Sequence, residues 1–251
     1  MAGSLNPFRR RAALPEVWRI DGTDWPIVLA RRAGTRRVTL RLCPLTDCLR
    51  ISAPARTALA DIRAILDHHA AALAAQAAKL PPRVDFAAGA RIPFRGRTLR
   101  LVRADGFRNV WSEDAEGPVL AVGGRPEHFA RRVRDALLKA AEAELKTETA
   151  AAVARLTGIP ARPLAAVRLG DTRGRWGSCA ADGTLRFSWR VILAPPEILR
   201  YLVAHEVAHL AEMNHSPKFW QVVARLLPEA AAARVWLHRH GAALHRIGPP
   251  R

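Results

Sequence analysis

The run His205-Glu206-Val207-Ala208-His209 leaves this chain little choice of local structure. Residues four apart share one face of an α-helix. A helix therefore aims two imidazoles at one point, where each can approach a zinc ion to about 2.0–2.1 Å. Glu206 follows the first histidine and can reach a water at the same ion. Zinc brings the pKa of such a water to about 7, and a nearby carboxylate takes its proton as attack on a carbonyl begins. Apolar Tyr201, Leu202, Val203 and Leu210 surround the motif. Ionisable side chains in apolar surroundings need partners, and a metal is one. The bland alternative is two histidines on a solvated helix face.

A catalytic zinc takes three protein ligands and keeps a fourth position open. Glu212 lies three residues after His209, on the same helical face. His215 follows an expected helix end at Asn214, where the departing chain can fold an imidazole back. His215 is the favoured third ligand. Glu212 is the alternative, or else a carboxylate that supports the ligands from behind or is simply solvated.

The flanking pattern predicts an α+β chain. Val38, Leu40 and Leu42 alternate with Arg37, Thr39 and Arg41, as in a half-buried strand. Thr57 to Leu80 reads as one alanine-rich helix stopped by Pro81-Pro82. Ile92 to Arg97 reads as a hairpin around Gly96, and Pro126 to Leu156 as a long amphipathic helix. Residues 164 to 194 read as strand, turn, strand, with Asp182-Gly183 as a hairpin turn. The motif helix spans the Ile198 to Glu212 region. Ser216-Pro217 then reads as an N-cap and first helical residue. A disordered leader is expected over residues 1–14, a β-rich part over 15–125 and a helical part with a small sheet over 126–245, unless 15–245 is one domain. No repeat is evident along the sequence.

Composition narrows the setting. Half of the 251 residues are hydrophobic, enough for a core, yet no run suits a membrane span or a secretory signal. Three cysteines, Cys43, Cys48 and Cys179, argue against a disulfide scaffold and for a cytoplasmic location. The net charge of +18 invites nucleic-acid binding through phosphates, around Arg31-Arg32, Arg36-Arg37 and Arg131-Arg132. However, 36 of the 40 basic residues are arginine beside abundant alanine. Compositional bias is therefore the stronger reading.

Three further segments carry a resemblance: Arg175-Trp176-Gly177-Ser178-Cys179, Phe187-Ser188-Trp189-Arg190, and Asn214 through Trp220. With the histidine motif, they resemble the YgjP-like metallopeptidases, relatives of the SprT and WLM zinc peptidases. The likeness is close over residues 164–241 and weaker before that. It implies a zincin-like core holding one Zn2+ per chain on His205, His209 and His215, with Glu206 as catalytic acid/base and a peptide or protein as substrate. Ser188 and Ala208 replace an asparagine and a cysteine common in that family, and neither position is a ligand.

Arg175 is a candidate for stabilising an oxyanion or for holding substrate, and Cys179 for approaching the metal as an inhibitory thiolate. A tight turn at Gly177, a core Trp176 and a buried Cys179 are the expectation preferred for that segment. Two alternatives to peptidase activity stay open: a zinc amidohydrolase acting on small molecules, and a nucleic-acid-associated protein with a peptidase or structural zinc site.

Overall fold

The computed structural model describes residues 14–20, 22–43, 46–172 and 175–248. The leader expected over 1–14 lies outside them except for Leu14. The chain forms two compact units that divide between Pro81 and Pro82.

In the first unit, strands β1 (Val17–Ile20), β2 (Thr23–Arg32), β3 (Thr39–Cys43) and β4 (Cys48–Pro54) form a sheet in the order β1-β2-β4-β3. β1 and β2 are antiparallel, β2 and β4 parallel, β3 and β4 antiparallel. Alternation along β4 buries Leu49, Ile51 and Ala53, which pack with Ile62 and Leu66 of helix α1 (Leu59–His68). The expected single helix is in fact two. It breaks at His69 (φ −96°, ψ 5°), and α2 runs from Ala70 to Ala78. With Leu73 as the only buried residue of α2, little apolar surface holds the two segments to one axis. Cys43 and Cys48 are buried at paired positions on facing strands.

The second unit starts with β5 (Arg91–Phe94), β6 (Arg97–Arg103), β7 (Asn109–Asp114) and β8 (Gly117–Val122), in the order β5-β6-β8-β7. The β5–β6 turn places Arg95 and Gly96 at φ 52° and 76°. Positive φ at both central residues is the turn whose twist matches a hairpin. Again the second strand runs parallel to the fourth, and a helix follows. The two sheets thus share one topology, a repeat of architecture that the residues do not display.

Helix α3 (Phe129–Ala154) buries Phe129, Val133, Leu137, Ala141, Leu145, Thr149 and Ala152 as one stripe at helical spacing. Leu99, Leu101 and Leu120 of the sheet share its core with Leu185, Phe187 and Val203 further along the chain. The expected boundary near residue 125 therefore falls inside the second unit. β5–β8 buries its apolar face in the same core as the motif helix, and the two compact units divide at the diproline 81–82.

A third sheet, β10-β11-β9, consists of β9 (Ala166–Gly170), β10 (Gly177–Cys179) and β11 (Thr184–Ser188). β10 is an edge strand paired antiparallel to β11, and β11 runs parallel to β9. The turn between β10 and β11 uses Gly183 at φ 82°, and Asp182 Oδ1 accepts from the Thr184 amide at 2.8 Å. A 3-10 turn over Trp189–Leu193 leads to α4 (Pro196–Ala208), α5 (Pro217–Leu226) and α6 (Ala230–Leu244). No helix among the described residues is long and apolar enough to cross a membrane. The basic clusters are partly used within the fold. Arg131 and Arg134 pair with Asp135, Arg132 donates to Asn109 Oδ1, and Arg31 donates to the carbonyls of Ala55 and Thr57.

Candidate metal centre

Helix α4 is buried on nearly every side, with Ile198, Leu202, Val203 and Val207 all under 5 % exposed. Pro196 starts it, consistent with proline's tolerance in the first turn. It ends earlier than its sequence pattern suggests. Ala208 is the last α-helical residue and His209 is the C-cap, followed by tighter turns through Ala211. His205 and His209 still sit one helical turn apart, with ring centroids separated by 5.1 Å. Ser216 caps α5 by accepting from the Phe219 amide, as expected, and Pro217 is its first residue. This abrupt new helix start turns His215 back toward α4.

The three histidines converge. Their nearest ring nitrogens all lie within 4.8 Å of one another, and Nε2 of His205 and His215 are 3.1 Å apart. Nitrogens around a tetrahedral zinc at 2.0–2.1 Å are separated by about 3.3 Å, so this spacing suits an ion. Phe219, fully buried, packs against all three rings at 4.5–4.9 Å. Burying such a ring contributes roughly 1.5–3 kcal/mol, which here also fixes the imidazoles.

Orientation and protonation also suit metal binding. His209 Nδ1 donates to the Glu212 carbonyl at 3.0 Å, leaving Nε2 for the cluster. Burial pushes the His205 pKa down to about 4, and neighbouring His209, His215 and Arg234 add to the effect. Burial likewise lowers that of His209. Both rings are therefore neutral near pH 7, the state a metal requires. Among the described residues, Nδ1 of His205 is buried with no hydrogen-bond partner, and its Nε2 faces that of His215.

Glu206 is 4 % exposed. Burial pushes its carboxyl up to about 8, opposed by the charge of Arg175. Its place depends on Gly177. A Cβ there would lie 2.5 Å from Glu206 Oε1 and 2.7 Å from its Cγ. Gly177 is thus not the tight turn expected but the first residue of β10, and its missing side chain makes room for the carboxylate. Arg175, Gly177, Ser178 and Cys179 line one wall of a cleft of about 330 Å³, with the three histidines, Glu206 and Met213 completing it. Cys179 stands in that wall half-buried, and its thiol is held above the ordinary range by burial. The Glu212 carboxylate joins neither the cluster nor the cleft lining, and its backbone carbonyl is what meets the site.

Two supports were not legible in the sequence. Arg162 donates to the His209 carbonyl at 2.8 Å and to that of Ala181 at 2.7 Å, tying the end of α4 to the β10–β11 turn. Trp176 stacks on His245 at 4.5 Å, and a Cβ at Gly241 would lie 3.0 Å from its Nε1. Trp176 lies in the Arg175–Cys179 segment, but these contacts join residues distant in the chain, so no local pattern shows them.

The family model for the YgjP-like metallopeptidase domain matches residues 36–240. The chain belongs to the YgjP-like metallopeptidase family. It is therefore a metal-dependent peptidase, a hydrolase whose substrate is a peptide or protein. Among solved structures, the metallopeptidase zymogen of Pyrococcus abyssi abylysin is 22 % identical with a TM-score of 0.33. The alignment covers 38 % of this chain and 93 % of that one. No curated protein matches. In this YgjP-like chain, the three histidines are the one group of metal-ligating side chains among the described residues.

Proposed function

We propose that this YgjP-like protein is a zinc peptidase in which His205, His209 and His215 hold the ion and Glu206 is the general base. The observation that carries the reading is the convergence of three imidazoles beside a buried carboxylate in one cleft. An all-imidazole donor set favours zinc among the common ions. Zinc would supply Lewis acidity, polarising a carbonyl and bringing water's pKa toward neutrality. Glu206 accepts the proton of the attacking water and delivers it to the leaving amine. Burial pushes the Glu206 carboxyl up to about 8, and an ion held by the histidines would favour its carboxylate form near neutral pH. Arg175 lines the cleft and its charge acts on Glu206, which supports a role in steadying a developing oxyanion or a substrate carbonyl. β10 is an open sheet edge on the cleft and can pair with an extended peptide.

The deciding measurement is metal content of the purified protein and its variants. Wild type is expected to hold about one zinc per chain, and His209→Ala and His215→Ala are expected to lose it or bind it far more weakly. Folded wild type that takes up no zinc when supplied would end the proposal. Full retention in His215→Ala alone would move the third ligand elsewhere.

Gly177→Ala tests the cradle around Glu206. The added methyl would crowd Glu206 Oε1 and Cγ and displace the carboxylate, so kcat is expected to fall about 10–100-fold, the loss typical of a misplaced catalytic group. Zinc content should be unchanged. A kcat within twofold of wild type would show that Glu206 does not need that space.

A further inference from the structure

A larger cleft, of about 790 Å³, lies between α5 and α6. Trp220 and Val223 line it from α5, and Arg234, Val235, His238 and Arg239 from α6, with no aspartate or glutamate. Mostly apolar walls with a few charged groups of one sign form a binding site for a ligand with an apolar body and an opposite charge. The Arg234 guanidinium lies over the Trp220 ring at 4.7 Å. Stacking covers one face of the guanidinium and leaves its in-plane N–H donors free for a two-pronged contact with a carboxylate.

Other arginines of this unit are already paired, Arg91 with Glu116 and Arg97 with Glu113 among them. Among the described residues, neither Arg234 nor Arg239 forms an ion pair. Trp220 also links this cleft to the histidines, its ring lying 5.9 Å from that of His205 and 6.1 Å from that of His215. Arg234 further borders a smaller cleft with Tyr201, whose ring is 6.0 Å from His205. One residue of an extended peptide spans about 3.3–3.6 Å, so a chain presented at the histidines passes Trp220 within two residues and reaches the Arg234 guanidinium within about three.

We propose that the α5–α6 cleft is a substrate subsite for a carboxylate close to the scissile bond, and that Arg234 selects it. The proposal rests on the zinc-peptidase reading for the position of that bond. The same chemistry is offered by an Asp or Glu side chain and by a peptide's C-terminal carboxylate.

Two peptide pairs separate these sources: Asp against Asn at each position of a short peptide, and free acid against C-terminal amide. Binding is measured calorimetrically to the full chain, both metal-free and as zinc-loaded Glu206→Gln. The carboxylate member of one pair is expected to bind at least about 10-fold more tightly, and Arg234→Gln removes the difference. Arg234→Glu turns the preference toward a lysine peptide. Val235→Glu, which leaves Arg234 in place and adds a carboxylate to the cleft, also abolishes it. Equal affinities within both pairs, or a preference surviving Arg234→Gln, would overturn the assignment. A zinc-loaded wild type that hydrolyses no peptide yet keeps the Arg234-dependent preference supports the cleft and counts against the catalytic reading. Hydrolysis without any preference does the reverse.

Discussion

Glu206→Gln is expected to lower kcat on any cleaved peptide by about 10²–10⁴-fold, the range that a positioned general base contributes. The substitution keeps the shape of the side chain, so the Gly177 gap remains filled and the core around α4 is undisturbed. It removes a carboxylate that sits 4 % exposed among apolar neighbours, where burial penalises charge. The variant should therefore be at least as stable as wild type and hold the same zinc. A loss of kcat with zinc and stability retained separates proton transfer from metal binding. A kcat within a few-fold of wild type would rule Glu206 out as the base.

Arg190→Met is expected to cost about 3–5 kcal/mol of stability, the usual result of removing one partner of a buried ion pair. Arg190 and Asp171 have side chains 3 % and 4 % exposed, with Nε 2.9 Å from Oδ1. The guanidinium also donates to the carbonyls of Leu244 and Ile247 and lies over the Trp189 ring at 4.7 Å. One side chain therefore ties the chain just after β9 to the end of α6. Methionine fills the volume but leaves Asp171 without that cation. Urea unfolding of both proteins reads the difference as a lower midpoint at unchanged slope. Arg190→Met with Asp171→Leu should recover part of the loss, since an apolar pair carries no stranded charge. A single variant within 1 kcal/mol of wild type would mean the pair contributes nothing net.

These two residues differ in how readily they are read from the chain. Glu206 is legible because it belongs to a five-residue pattern with one helical explanation. Arg190 stands in a segment that carries the resemblance, but only its burial against a carboxylate nineteen residues earlier shows what it does. The same division holds for glycine. Gly96 and Gly183 mark turns that their neighbours predict, whereas Gly177 matters through space, against a helix that comes almost thirty residues later.

The sequence by itself determined the elements whose causes are local. The i, i+4 histidines place two rings on one helical face, the Ser216-Pro217 cap starts α5, the apolar stripe makes α3, and alternation makes the strands. These follow from periodicities of 3.6 and 2 residues and from the special backbones of proline and glycine, which act over a few bonds. Only the tertiary structure decided how such pieces meet. It broke one expected helix at His69, ended α4 at Ala208, moved the division of the chain to Pro81–Pro82 and repeated one sheet topology twice. It also brought His215 to the other two histidines, set the Arg175–Cys179 wall against Glu206 and left the Glu212 carboxylate outside the cleft. Each of these depends on burying apolar faces against partners distant in sequence. A hydrophobic face shows in the pattern, but which other face covers it is settled only when the whole core packs.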